Sequence, residues 1–396
     1  MDNPFFDLPA TPRITVLSWP TRVVLGPGAL KRLPDEVRRL ELQRPLLVTD
    51  AGVVKAGLAD RVMAVLGEAG IVHVLFDRVT PDPTERDVFA GLEAYRAAGC
   101  DGIIALGGGS PLDAAKLVQL LTSHSPPLSQ YDDATGGDRF VTHPLPPLIA
   151  IPTTAGTGSE VSRSGVAFLQ DTGRKTVIFA PALLPRAALC DPELTYGLPP
   201  RATAATGLDA FTHCLEAYLS NGFHPLADAV AIDGITRVAR ALPVVMQEPT
   251  HPQARLDMMV AAMEGAMAFQ KGLGNAHALA HALTPITGLH HGLANAVVLP
   301  SVMAFNRSAA RARLARVAVA MGEPSGASEE VLAGLAIDRV RALVAEVGLP
   351  TRLSDAGVKP ADLERIAALA FRDASHQGNP RPTTEADLLD IARAAL

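Results

Sequence analysis

The sequence predicts an α/β domain with a Rossmann-like parallel sheet, followed by an all-helical domain. Up to about residue 196, short β-branched runs alternate with helical segments, the pattern of strand–helix–strand units in a parallel sheet. From about residue 199 the chain is rich in Ala and Leu with helical periodicity, and strand signals vanish. At the junction, Leu198-Pro199-Pro200 breaks the pattern, since proline disfavours helix in the residue before it and can open one at its first position. A chain of 396 residues, 48% hydrophobic, is long for one core and ample for two. The domains expected are 1–197 and 198–396, with a cleft between them.

The elements follow in order. Segments 13–17 and 21–26 read as an antiparallel edge or hairpin. Residues 44–50 read as a strand, 53–69 as an amphipathic helix and 71–77 as the next strand. Residues 84–98 form a second helix, and the apolar run 102–106 a buried strand.

Two glycine turns follow apolar strands. The first is Gly107-Gly108-Gly109-Ser110-Pro111, opening a helix with proline in its first turn. Glycines let a phosphate approach the backbone, and a helix N-terminus offers free N–H groups. Ser110 reads as the N-cap of that helix. A tight turn would use the same glycines for structure alone. The second turn is Thr153-Thr154-Ala155-Gly156-Thr157-Gly158-Ser159, and two such loops on neighbouring parallel strands are where a dinucleotide lies. Asp50 ends its strand, where a carboxylate can accept ribose hydroxyls and repel a 2′-phosphate, favouring NAD. A solvated strand-end aspartate reads nearly as well.

The helical half carries a cluster of metal-ligand residue types. Asp209 and His213 are spaced i, i+4, as are His277 and His281, and His290-His291 follows. On a helix each pair projects from one face. Imidazoles and a carboxylate gathered this way point to a first-row metal site.

Composition excludes several classes. Net charge is −6 with no Lys- or Arg-rich run, so nucleic acid is not an expected partner. No apolar run approaches the ~20 residues of a membrane-spanning helix. Three scattered cysteines, Cys100, Cys190 and Cys214, give no disulfide framework. With no signal-peptide pattern at the N-terminus, a cytoplasmic protein is expected.

These residues together resemble the iron-containing (group III) alcohol dehydrogenases, of dehydroquinate synthase-like fold. The carriers are the Gly107–Lys116 and Pro152–Glu160 motifs, Asp209-Ala-Phe-Thr-His213, His277-Ala-Leu-Ala-His281 and His291-Gly-Leu-Ala-Asn295. The resemblance implies metal ligands at Asp209, His213, His277 and His291, holding Fe(II), with Zn or another divalent ion as the alternative. It implies that His281 serves proton transfer. Asp50, Gly107, Gly108, Gly109 and Ser110 would hold the adenosine and pyrophosphate of NAD, and Thr153, Thr154 and Lys175 its nicotinamide half. The reaction implied is hydride transfer between a small primary alcohol, or its aldehyde, and nicotinamide. A homo-oligomer, dimer or larger, is expected through the edge at 13–25.

Three departures bear on the substrate. His290 stands where relatives carry proline, though the spacing of His291 from His277 keeps the ligand assignment. The stretch after Phe269 is one residue shorter than in many relatives, and Ser375-His376 lies in a segment that approaches the active site in relatives. Phe269, Lys271 and His376 are therefore candidate substrate residues. Lys271, with Arg163 or His376, would favour a short ω-hydroxy acid such as 4-hydroxybutyrate. Solvation or a salt bridge elsewhere is the simpler reading of these charges. Among rivals, a dehydroquinate synthase-like lyase needs several basic residues, and 260–300 offers only Lys271. A maleylacetate reductase works without a metal, and a non-catalytic relative would have lost a ligand.

Overall fold

The computed structural model describes residues 21–396. They form two compact units: residues 21–154 with 158–198, and residues 199–396 with 155–157.

The first unit is built in the order β1 (Arg22–Leu25), α1 (Leu33–Arg39), β2 (Pro45–Asp50), α2 (Ala51–Lys55), α3 (Leu58–Glu68), β3 (Val74–Val79), α4 (Glu85–Ala97), β4 (Gly102–Gly107) and α5 (Gly109–Ser123). Then come β5 (Leu148–Pro152), the strands β6 (Ser164–Leu169) and β7 (Arg174–Phe179), and β8 (Ala187–Cys190). Six strands make one sheet in the order β1-β8-β5-β4-β2-β3, every pairing parallel. Side chains of β4 alternate between its faces: Ile103 and Ala105 enter the core under α4 and α5, while Ile104 and Leu106 enter the core under α1 and α3. The strands β6 and β7 form a separate antiparallel pair.

Two expectations are corrected here. The segment at 21–26 is not antiparallel: β1 pairs in parallel with β8 at the sheet edge. Its expected partner, 13–17, lies outside the described residues. The helix expected over 53–69 is two helices, parted at Gly57, whose φ of 72° lies in the left-handed region that ends a helix.

The second unit is helical among its described residues. It runs α6 (Pro200–Leu219), α7 (Pro225–Gln247), α8 (Pro252–Ala268), α9 (Asn275–Thr287), α10 (His291–Asn306), α11 (Arg311–Ala320), α12 (Glu329–Glu346), α13 (Leu363–Ala370) and α14 (Glu385–Ala395). One continuous apolar core joins them. Helix α6 starts with prolines at its N-terminus and is buried along almost its whole length, so its polar side chains are committed to partners inside the unit. None of the described helices is long and apolar enough to cross a membrane.

Candidate metal centre and glycine loops

Asp209, His213 and Glu216 occupy one face of α6, at i, i+4 and i+7. Helix α9 brings His277 against them, and α10 begins with His291, the first residue of a helix rather than of a loop. Asp209, His213 and His277, all buried, each offer a ligand atom within 4.8 Å of the others. The rings of His213 and His277 stack at 4.6 Å. His291 joins them, with Nε2 3.5 Å from Asp209 Oδ1.

Two residues that the sequence reading left without a role organise the cluster. The Glu216 carboxylate accepts the N–H groups of Gly274, Ala276 and His277, capping α9 from a neighbouring helix. It also accepts His277 Nδ1–H at 2.7 Å, which leaves the lone pair of that ring on Nε2. The Asn295 amide nitrogen then meets three atoms at once: Asp209 Oδ1 at 2.9 Å, His277 Nε2 at 3.3 Å and His291 Nε2 at 3.2 Å. An amide has two hydrogens to share among them, and the reverse orientation would set oxygen against three acceptors. A divalent cation is the group that satisfies such a donor set, and carboxylate with imidazole suits a first-row ion. Burial raises the Asp209 carboxyl, but His213, His291, His277 and the Asn295 amide bring it down to about 2. Burial pushes His213 down to about 4. At neutral pH both therefore hold the ligand form.

The remaining candidates in this unit divide. His281 stands edge-on to His277 at 6.1 Å and stacks on His291 at 5.0 Å, with Nδ1 2.8 Å from Asp373 Oδ2. The ring of Phe269 lies 5.3 Å from that of His213, a position fit for a substrate contact. His376 sits in the same turn as Asp373, its Nδ1 bonded to the Asp373 carbonyl at 2.6 Å. Of the two readings of Lys271, substrate residue or salt bridge elsewhere, the structure holds the second. Its side chain is fully buried, paired with Asp228 at 2.5 Å and bonded to the Tyr218 carbonyl at 2.9 Å. Asp228, shared with Arg313, compensates the burial of the ammonium, so that charge is spent inside the helical core.

The two glycine loops follow the adjacent strands β4 and β5, and Thr153 N–H donates to Gly107 O at 2.9 Å. Gly107 has φ 147°, and a Cβ there would meet Pro111 Cγ at 2.6 Å, so only glycine fits. Ser110 is not the N-cap of α5. Gly108 is, and Ser110 lies in the first turn, its Oγ accepting Asp82 N–H at 3.3 Å. That bond leaves the Ser110 hydroxyl hydrogen free to donate. Lys175 pairs with the Asp82 carboxylate. Thr154 packs so closely on Gly108 that a Cβ there would stand 3.3 Å from its methyl. Asp50 caps α2 through Oδ1, which accepts Val53 N–H at 2.9 Å, leaving Oδ2 for a ligand. Beneath the loops, Lys116 Nζ donates to Ser159 O at 2.6 Å, Ser159 Oγ at 2.8 Å and Ser164 O at 2.8 Å. Ser159 Oγ donates onward to Asp113 at 2.6 Å.

Comparison with known proteins agrees with these features. The family model described as iron-containing alcohol dehydrogenase matches residues 20–192, and that of the Fe-containing alcohol dehydrogenase family, C-terminal, matches 203–396. The chain is 43% identical over 376 residues to 4-hydroxybutyrate dehydrogenase of Cupriavidus necator, across 93% of this chain and 96% of the relative. A crystal structure of 1,3-propanediol oxidoreductase matches with TM-score 0.93 and 38% identity, over 97% of this chain and all of that one. Sulfoacetaldehyde reductase from Bifidobacterium kashiwanohense, solved in complex with NAD+, matches with TM-score 0.86 and 27% identity, over 97% and 99%.

Proposed function

Because the chain belongs to the iron-containing alcohol dehydrogenase family and is an alcohol dehydrogenase, we propose how its residues divide the work and which alcohols it takes. Asp209, His213, His277 and His291 would hold the divalent ion, and the observation that carries this is the convergence of three of them on the Asn295 amide nitrogen. A divalent ion held there supplies Lewis acidity toward an alcohol oxygen, and a nicotinamide supplies the hydride acceptor. Imidazole and carboxylate donors accept both Fe(II) and Zn; the family favours Fe(II).

The chain's own groups do the rest. Asp209 contributes the one negative ligand, so a divalent ion would keep a net positive charge facing the substrate oxygen. His281 takes the hydroxyl proton as alcohol becomes carbonyl, and returns it in the reverse direction. Phe269 lies beside His213 and offers an apolar wall to the carbon chain. The N–H groups of the Gly107–Gly109 turn and the Ser110 hydroxyl would bind the pyrophosphate, with Thr153, Thr154 and Lys175 on the nicotinamide half. Asp50 Oδ2 would accept the ribose hydroxyls and select NAD against NADP by charge.

For substrate we assign a short primary alcohol with a second polar group at its far end, such as 4-hydroxybutyrate or 1,3-propanediol. The two relatives named for those compounds support this class, and Lys271 plays no part in it. The three cysteines are buried and form no disulfide, in keeping with a reducing cytoplasm, and the edge strand β1 offers a surface for a homo-oligomer. Mixing the purified protein with Fe(II), NAD+ and a panel of alcohols, while following absorbance at 340 nm, tests the reading. Turnover is expected with the short bifunctional alcohols and NAD+. Turnover with none of the panel, or undiminished turnover after metal removal, would contradict it.

A further inference from the structure

The pairing of His281 with a carboxylate 92 residues away goes beyond the assignments above. Asp373 precedes the turn Ala374–Gly378 and caps it: Oδ1 accepts Ser375 N–H at 2.8 Å. Its other oxygen, Oδ2, faces His281 Nδ1 at 2.8 Å. Both oxygens are thus engaged, and the plane of the carboxylate is fixed. Burial would raise this carboxyl, but His281 and Ser375 hold it well below the usual carboxylate range. It stays ionised and can only accept. The neutral His281 ring facing it therefore carries its hydrogen on Nδ1 and its lone pair on Nε2. Its ring plane is held a second time by the stack on His291 at 5.0 Å and 17°.

We infer that Asp373 is the positioning residue of His281, fixing the tautomer and ring plane that present Nε2 as the acceptor of the alcohol proton. In the step concerned the substrate O–H bond breaks, a bond from that hydrogen to Nε2 forms, and the Asp373 carboxylate balances the charge gained by the ring. The proton then leaves Nε2 for solvent. The inference rests on the reading of His281 as the proton acceptor, and its test separates the two.

The test is a double-mutant cycle on the metal-loaded enzyme with Asp373→Asn and His281→Gln. Asparagine keeps the cap on the 374–378 turn but removes the charge that fixes the tautomer. Asp373→Asn alone is expected to lower kcat by about 10²–10³-fold, with KM for the alcohol and bound metal per chain within about threefold of wild type. In the His281→Gln background the same change should cost less than about threefold, because residues acting as one unit are not additive. A wild-type kcat in Asp373→Asn overturns the inference, as does an equal loss in both backgrounds, the mark of a structural role alone. A wild-type kcat in His281→Gln instead overturns the reading of His281 itself. Should Asp373→Asn fail to fold, Asp373→Glu keeps the charge while displacing it, and the same non-additivity with His281→Gln decides.

Discussion

Two buried polar clusters, one in each unit, are made from similar groups and end in opposite states of charge. Beneath the glycine loops, Lys116 lies fully buried among oxygens and donates to three of them. An ammonium has three hydrogens to give, so the chain supplies its own cation and the account closes. In the helical unit, Asp209, His277 and His291 converge on a neutral amide with two hydrogens. The same physics marks one cluster as structural and supports our proposal that the other takes a cation from outside. Burial acts on both. It lowers Lys116 to about 8 and raises Glu160 beside it to about 7. Around Asp209 the imidazoles overcome burial and hold the carboxylate ionised.

The contrast breaks most visibly if a ligand is removed. His277→Ala should lower kcat/KM by about 10³-fold or more through loss of the metal, measured as turnover against bound metal, with the metal-free fold little affected. Removing the internal cation should do the reverse. Lys116→Met leaves Ser159 O, Ser159 Oγ and Ser164 O without their donor and Asp113 without its neighbouring cation, and is expected to cost about 3 kcal/mol of stability in chemical denaturation, while metal binding per chain stays intact. A loss of metal in Lys116→Met would erase the distinction.

Smaller changes sharpen it. Glu216→Gln weakens the hold on His277 Nδ1, and metal affinity should fall about 10- to 100-fold, read by competition with a chelator. A last prediction is a pH effect in the sheet unit. Glu160 has a folded pKa above its ordinary 4.5, near 7, so the unfolded chain ionises first. Stability must then fall as pH rises from about 4.5 to about 7, with no further change above. Glu160→Gln lacks this loss, and the gap between its melting temperature and that of wild type should widen over that window. A constant gap would contradict the burial argument.

Local patterns were legible in the sequence, and long-range partners were not. The i, i+4 spacing that put Asp209 with His213 needs only the helix period, and the alternation of strands and helices needs only short windows. Glu216 was within reach of the same logic, seven residues past Asp209 on one face, but a glutamate in an Ala- and Leu-rich helix carries no sign of what it caps. Asp373 was not readable, since nothing local ties it to His281. For Lys271 the simpler reading, a salt bridge elsewhere, was within reach, but its partner Asp228 lies 43 residues away, and nothing local names it. The direction of β1 depended on β8, more than 160 residues on, whereas a neighbouring apolar segment had suggested a hairpin. Ser110 as N-cap failed by two positions because glycine, free of a side chain, starts α5 earlier.

In the proposed reading the Asp209–His213–His277–His291 cluster holds a divalent ion on which alcohol oxidation depends. Its most direct test titrates Fe(II) into metal-free protein with NAD+ and 4-hydroxybutyrate or 1,3-propanediol, following absorbance at 340 nm. The rate should rise from near zero to a plateau at one ion per chain, and Asp209→Ala should abolish the rise. Full turnover without metal, or an unchanged titration in Asp209→Ala, would contradict it.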